Sequence, residues 1–428
     1  MKNRFAIELE DRLRYSDLVR WALCQWKLAT VPRIDTADPQ SIARGIDHLC
    51  AAARLATNKK LLLDAEAEIG KLVKRLDRRP IRWKEFEPGA DNRRVEKAVV
   101  LKPWISERER GVVFISFEYQ WVRLVANCDV REFTKRYTLV VSPVWASPHA
   151  LVNYLLPAYV EDYLVSIISD PNDRDTIPRM APNYVMVPLL CSNWVNPSYY
   201  KPVPSETKDI DILMLANFGK YKRHHTLFKA LRDLPRSLKV VLIGQHNGNR
   251  TRDVLLAEAA AYGVADRFEL RQNVPDQELF DSLARAKTSL ILSLREGSCV
   301  AIVESMFANT PVGMFADAEV GSRQFINPAT GRFLQHGNLA AQLAQFLADA
   351  PSFTPRKWVE DHKVDCFGSS ATLNTALKDA ALDHGQGWTQ DIATFHWRPD
   401  PQLVYPADRE RMKPAYADIK SRFGIEIG

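Results

Sequence analysis

A chain of 428 residues exceeds one ordinary hydrophobic core, so two domains of roughly 150 to 220 residues each are expected. With 46% hydrophobic and 26% charged residues, the composition excludes a largely disordered protein. Fifty-eight basic against 52 acidic side chains leave +6, too mild a balance over this length to mark a partner nucleic acid.

The opening stretch MKNRFAIELEDRLRYSDL carries acids early and has no apolar core of signal-peptide length, which predicts a cytoplasmic protein. The segment SIARGIDHLCAAARLATNKKLLLDAEAEIGKLVKRL places Leu62, Ala65, Ile69, Leu72 or Val73 and Leu76 at helical spacing, and Pro80 closes this helical region. Between Lys71 and Lys84 seven residues are basic and only Asp77 is acidic. That run suits either a solvated helix end or a peripheral contact with an anionic membrane at its inner face. Cys24, Cys50, Cys128, Cys191, Cys299 and Cys366 are dispersed, with no CxxC pair, so they read as reduced thiols and not as zinc ligands.

From Val95 the pattern changes to short apolar runs, KAVVLK, GVVFISF, YTLVVSP, DYLVSIIS and NYVMVPLL, which suit buried strands of a parallel sheet. Residues 137 to 160 lack any charged side chain. Pro143, Pro148 and Pro157 nevertheless rule against a membrane span and favour a strand, a loop and a short helix. The proline-rich SNWVNPSYYKPVPSETKDID reads as an interdomain linker.

A second alternation follows: strands in DIDILMLANF, SLKVVLIGQ, RFELRQNV and TSLILSL, with helices in KRHHTLFKALRDL, TRDVLLAEAAAYG and DQELFDSLARA between them. Strand and helix alternating at short connections predict right-handed βαβ units and a doubly wound sheet. After TSLILSL the chain turns at Glu296-Gly297-Ser298 into a helix from about Cys299 to Ala308, with Ser298 as its N-cap and Thr310-Pro311 as its stop. The amides of Gly297, Ser298 and Cys299 at the positive end of that helix would face a phosphate. Glu304 and Glu296 would accept hydrogen bonds from hydroxyls on either flank. A phosphate between two polyols has the shape of a nucleotide-sugar.

In its Glu296-x7-Glu304 spacing, in Ser305-Met306 and in ANTPVGMF, this segment resembles the GT-B glycosyltransferases of family 4. Val187-Pro188, YKP, DILMLANF, ANFGKYKRHHTLFKAL and INPATGRFL extend the likeness in order over roughly residues 187 to 335. The resemblance implies an α/β fold of two Rossmann-like doubly wound domains with an N-terminal helical extension. Its domains would be 1–86 (the extension), 87–203 (acceptor side), 204–350 (donor side) and 351–428 (a tail on the first domain).

By the same resemblance Lys222 neutralises the donor diphosphate, Glu296 lies beside the sugar, Glu304 holds the ribose and Val274 lies near the base. Asn217 stands where the family commonly has Arg, and Arg223 replaces the Gly after the Lys, so one phosphate contact is either lost or supplied instead by Lys220 or Arg223. Glu118 and His149, at or near strand ends, are acceptor-side candidates, with ordinary structural roles as the competing reading. His224 and His225 read as surface residues and Cys299 as a small packing residue.

The function implied is retaining transfer from a UDP- or GDP-linked sugar to a hydroxyl of a glycan, lipid-linked glycan or small molecule, with the nucleotide-sugar as substrate and without a cofactor or metal. Two alternatives stay open: a catalytically degenerate nucleotide-sugar-binding protein, to which Asn217 points, and a nucleotide-sugar epimerase.

Overall fold

The computed structural model describes residues 3–144, 147–398 and 400–428. The chain forms two compact units, one of Ser16–Trp194 with Cys366–Gly428 and the other of Met1–Tyr15 with Val195–Asp365. These boundaries differ from those read in the sequence. The first fifteen residues leave the helical extension, the central division falls at 194/195, and the tail begins at 366.

In the unit of Ser16–Trp194 and Cys366–Gly428, the helices Asp17–Ala29, Pro39–Ala53 and Lys59–Leu76 are capped by Ser16, Asp38 and Asn58 side chains, each accepting from backbone amides of the first turn. The last helix buries Leu61, Ala65, Ile69, Leu72 and Leu76, so Leu61 and not Leu62 begins its inner stripe. Five strands follow: β1 (Ala98–Lys102), β2 (Gly111–Ser116), β3 (Tyr137–Ser142), β4 (Leu164–Ile168) and β5 (Tyr184–Leu190), hydrogen-bonded in that order.

Every residue of β1 to β4 is buried, as a sheet covered on both faces requires. One pair departs from the expected parallel sheet, because β1 runs antiparallel to β2. Residues 103–110 are too few for a crossover, whereas a short turn can close an antiparallel pair. The C-terminal segment completes this core. Phe395 stacks on Trp194 at 4.1 Å between ring centroids and lies 4.8 Å from Phe114, and the Val100 amide donates to the Tyr416 hydroxyl at 3.1 Å.

The other unit carries six strands, β6 (Ile210–Leu215), β7 (Val240–Gly244), β8 (Glu269–Gln272), β9 (Ala286–Ile291), β10 (Val312–Phe315) and β11 (Gly331–Leu334). All are parallel, in the order β11-β10-β9-β6-β7-β8. The chain winds outward from β6 to β8, then returns to the far side of β6. The order therefore reverses between β6 and β9, and a crevice at the carboxyl ends of those two strands is where a doubly wound sheet takes its ligand. At the end of β7 a side chain is forbidden, since a Cβ on Gly244 would stand 2.0 Å from the Ala216 carbonyl oxygen.

The segment read as a linker is packed. Trp194 is fully buried in the first unit, and Tyr200 is buried in the second. Just beyond it, the Lys208 ammonium group donates to the carbonyls of Ala286 (2.9 Å) and Asn309 (2.8 Å) and lies 3.1 Å from the Thr310 hydroxyl. It thereby ties the start of β6 to the start of β9 and to the turn before β10. That turn owes its shape to Asn309, which takes the left-handed conformation (φ 56°) that ends the preceding helix.

Burial with only neutral acceptors pushes the Lys208 amine down to about 8. A depressed lysine binds its proton more tightly in the unfolded chain, so stability rises with pH between about 8 and the unfolded value near 10.4. Urea titrations should show the protein gaining stability relative to Lys208→Met across that window; parallel pH profiles would disprove the account.

Candidate functional site

The loops that leave β6 and β9 meet through one ion pair. After β6, residues 216–219 lead into the 3-10 turn Lys220–Lys222, and Arg223 takes a left-handed conformation (φ 55°, ψ 42°) before the helix His224–Leu231 begins. Asn217 shapes this loop: its side-chain oxygen accepts from the Gly219 amide at 3.0 Å and its amide donates to the Tyr221 hydroxyl at 2.7 Å. A Cβ on Gly219 would meet the Tyr221 ring at 2.5 Å and the Asn217 side-chain oxygen at 2.9 Å, so a larger residue would have to displace both.

Lys222 is buried, and its ammonium group is paired with Oε1 of Glu296, in the short strand Arg295–Glu296 that follows β9. Burial works against the Lys222 charge, but the Glu296 carboxylate outweighs it and raises the pKa above the usual lysine range. Oε2 of Glu296 is buried and meets no donor among the described residues. A carboxylate oxygen so placed is an acceptor in want of a hydroxyl.

Beyond Glu296 the Gly297 carbonyl accepts from the Gly321 amide at 3.1 Å, and the helix Val300–Phe307 starts from Cys299. Cys299, not Ser298, is the N-cap residue, and its side chain makes no capping hydrogen bond. The Ser298 hydroxyl instead lies 3.5 Å from that of Ser322. Burial, reinforced by Glu296, pushes the Cys299 thiol up to about 12, which keeps it protonated and suits a packing role. Glu304 faces inward from this helix and accepts from the Tyr200 hydroxyl at 2.8 Å. Val274 follows β8 and is half-buried, one residue after Asn273, which is left-handed (φ 53°).

Several features escaped sequence reasoning. Tyr200 was visible only as part of YKP; its ring packs against Phe280 and its hydroxyl holds Glu304. The N-terminal helix Arg4–Tyr15 lays its acids on the basic loop. Asp11 accepts from Arg223 Nε (3.1 Å) and Nη2 (2.8 Å) and lies 3.5 Å from His225, Glu10 pairs with Lys220, and Glu8 with Lys229 at 3.2 Å. Burial alone would raise the Asp11 pKa; hydrogen bonds from His225 and Arg223 overcome it and hold the carboxyl at about 2. The cations expected to back up Lys222, Lys220 and Arg223, are thus already bonded to acids of this helix. The alternation of Glu8 and Asp11 with Phe5, Leu9 and Leu13 was the signal that could have shown two distinct faces.

His224 is buried, contrary to the surface reading, and burial next to Arg250 and Lys222 lowers its pKa to about 3. The two acceptor-side candidates lie in the other unit. Glu118 opens the helix Glu118–Asn127, is buried and accepts from the Val144 amide at 3.4 Å. The preceding Phe117 has φ 67°. His149 is buried between the Ser147 hydroxyl (2.8 Å) and Glu66 (3.0 Å), with Arg179 on the far side of Glu66.

The Lys222–Glu296 pair and the start of the helix Val300–Phe307 follow β6 and β9, the strands between which the doubly wound sheet reverses its order. Residues 197–363 match the family model described as Glycosyl transferases group 1. A curated relative, the GDP-mannose:cellobiosyl-diphosphopolyprenol alpha-mannosyltransferase of Komagataeibacter xylinus, is 26% identical over 189 residues, 44% of this chain and 47% of the relative. The match therefore spans about half of that protein.

Among solved structures, Anabaena Alr3699/HepE in complex with UDP and glucose superposes with a TM-score of 0.50 at 15% identity, over 62% of this chain and 78% of that one. Sucrose-phosphate synthase from Thermosynechococcus elongatus gives 0.47 at 18% identity, over 64% and 72%. At these identities the HepE likeness is one of fold, that of α/β units with largely parallel sheets of the GT-B type.

Removing one member of a buried ion pair strands the other charge, at a cost of about 3 to 5 kcal/mol. Glu296→Ala should lose stability on that scale in urea titrations, and adding Lys222→Met should recover a large part of it. Additive losses in the double variant would show that the two side chains are not coupled.

Proposed function

We propose that the protein is a retaining glycosyltransferase that moves a sugar from a UDP- or GDP-linked donor to a hydroxyl group, without a resident metal. The observation that carries this reading is the Lys222–Glu296 pair at the sheet's switch point, with one carboxylate oxygen that meets no donor among the described residues. The group 1 model over residues 197–363 supports it. The relative's use of GDP-mannose and a polyprenol-linked acceptor, together with the UDP and glucose bound by HepE, indicate the donor class and make a lipid-linked glycan the leading acceptor.

In this reading the diphosphate lies against Lys222 and the first amides of the helix Val300–Phe307. Glu304, steadied by Tyr200, receives a ribose hydroxyl, Val274 borders the base, and Oε2 of Glu296 receives a hydroxyl of the sugar. As the bond from the anomeric carbon to the phosphate oxygen breaks, negative charge grows on the diphosphate. Lys222 and the helix start stabilise that charge where it develops, in place of a divalent cation. The acceptor oxygen bonds to the anomeric carbon on the face the leaving group vacates. Its proton passes to the departing phosphate oxygen, so configuration is retained and no enzyme carboxylate becomes a covalent nucleophile. Glu296 positions the sugar.

Loss of one preorganised contact to the developing charge costs on the order of 100- to 1000-fold in turnover. Lys222→Ala should fall in that range in a transfer assay with UDP- and GDP-sugars, and proton NMR of the product should show the donor's anomeric configuration. Near-normal turnover, or inversion, would defeat the mechanism. Tyr200→Phe removes a single hydrogen bond to Glu304 and should weaken donor binding by roughly three- to tenfold in calorimetry, with a smaller effect on turnover.

Asn217, tied up within its own loop, favours a second reading, a binding protein without activity. Donor binding with no transfer and no hydrolysis in the unaltered protein would select it.

A further inference from the structure

The residue that carries Lys222 into the next helix is held from outside its own loop. Arg223 has φ 55° and ψ 42°, a left-handed conformation that glycine takes freely and that a long side chain adopts only when its surroundings fix it. The backbone supplies two ties: the Arg223 amide donates to the Lys220 carbonyl at 3.1 Å, and its carbonyl accepts from the Thr226 amide at 2.9 Å. The guanidinium group supplies the rest. Nη1 donates to the Leu292 carbonyl, just past the end of β9, at 3.4 Å, and the group lies 5.3 Å from the Phe315 ring centroid. Nε and Nη2 both donate to the Asp11 carboxylate, at 3.1 and 2.8 Å.

Asp11 belongs to the same unit, yet it lies 212 residues away in sequence. Its helix, Arg4–Tyr15, buries only Ile7, so apolar packing does little to hold it in place. The acids Glu8, Glu10 and Asp11 make the attachment, through Lys229, Lys220 and Arg223. Of the three, Asp11 is the most enclosed, its side chain 13% exposed against 23% for Glu8 and 32% for Glu10. His225 lies 3.5 Å from it, and the Tyr15 ring centroid lies 5.6 Å from the guanidinium group it grips. A bidentate pair of this kind fixes direction as well as distance.

We propose that Asp11 is a positioning residue for the donor site: by clamping Arg223 it fixes the left-handed link next to Lys222 and so aims the Lys222 ammonium group at Glu296 and the diphosphate. The inference rests on the reading of Lys222 as the group that meets the diphosphate. It makes the helix Arg4–Tyr15 part of the working site. Arg223 becomes a bracket between the loop after β6 and the end of β9, instead of a phosphate contact. The opposite role for the same acids would be to mask Lys220 and Arg223 from a phosphate. The buried Arg223 side chain speaks against it, since its bonds to Leu292 and Asp11 keep it directed into the protein.

The test uses the full-length protein, calorimetry with UDP- and GDP-sugars, and a transfer assay. Asp11→Asn should lower kcat/KM roughly ten- to hundredfold, the scale of a displacement of about 1 Å at a reacting group. Asp11→Glu, which keeps the charge, should recover part of the loss. In an Arg223→Gly background the backbone needs no side chain to hold it, and adding Asp11→Asn should change nothing further. Tighter donor binding by Asp11→Asn, unaltered kcat/KM, or an undiminished loss in the glycine background would overturn the proposal. Amide hydrogen exchange of the unliganded protein separates it from the functional reading. Exchange over residues 217–226 should quicken in Asp11→Asn with circular dichroism unchanged, and unchanged exchange would overturn the clamp. Quickened exchange in a protein that binds no nucleotide-sugar would support the clamp and overturn the donor reading.

Discussion

The Lys222–Glu296 pair is the constraint on which the site depends. Each side chain belongs to a loop of its own, one after β6 and one after β9, and those strands are the neighbours between which the sheet reverses its winding. Neither loop has a reason to bury a charge alone, because an isolated charge moved out of water is strongly disfavoured. The pair makes both burials tolerable and fixes the two loops against each other. The left-handed Arg223 and the Asn217 turn set the lysine's position from one side, and the short pairing of Arg295–Glu296 with Glu319–Val320 sets the glutamate's from the other.

A carboxylate and an ammonium in contact are chemically quiet until a ligand redistributes the charge. In the proposed reading a diphosphate would give Lys222 a second anion, and a sugar hydroxyl would give Glu296 Oε2 a donor that none of the described residues supplies. The hydrogen bond from Tyr200 shows the same logic at Glu304, where a neutral hydroxyl occupies one oxygen and fixes the carboxylate without quenching its charge.

Much of this was legible in the residues. Strands β6 to β9 and the helices between them announced themselves through apolar runs and helical spacing, because each is a local pattern repeated at short intervals. The turn at Glu296 and the helix carrying Glu304 were legible for the same reason, since both are local. What sequence could not give was long-range. Leu61 in place of Leu62 is a shift of one position on a helix face, decided by tertiary packing. The antiparallel β1 depended on the brevity of residues 103–110, a cue passed over in favour of the general pattern. His224 looked exposed within a polar run, yet it is buried beside Arg250, which is far off in sequence. Tyr200 lay in a stretch whose prolines suggested a tether, and its partner Glu304 is 104 residues away.

The N-terminal helix holds a further consequence. Because Glu8, Glu10 and Asp11 clasp Lys229, Lys220 and Arg223, the first fifteen residues belong physically to a half of the molecule that the chain re-enters only at Val195. Evolutionary or laboratory shuffling of halves between relatives would have to carry two separate pieces of gene together. A swap that respected only the contiguous segment would leave Lys220, Arg223 and Lys229 without these counter-ions.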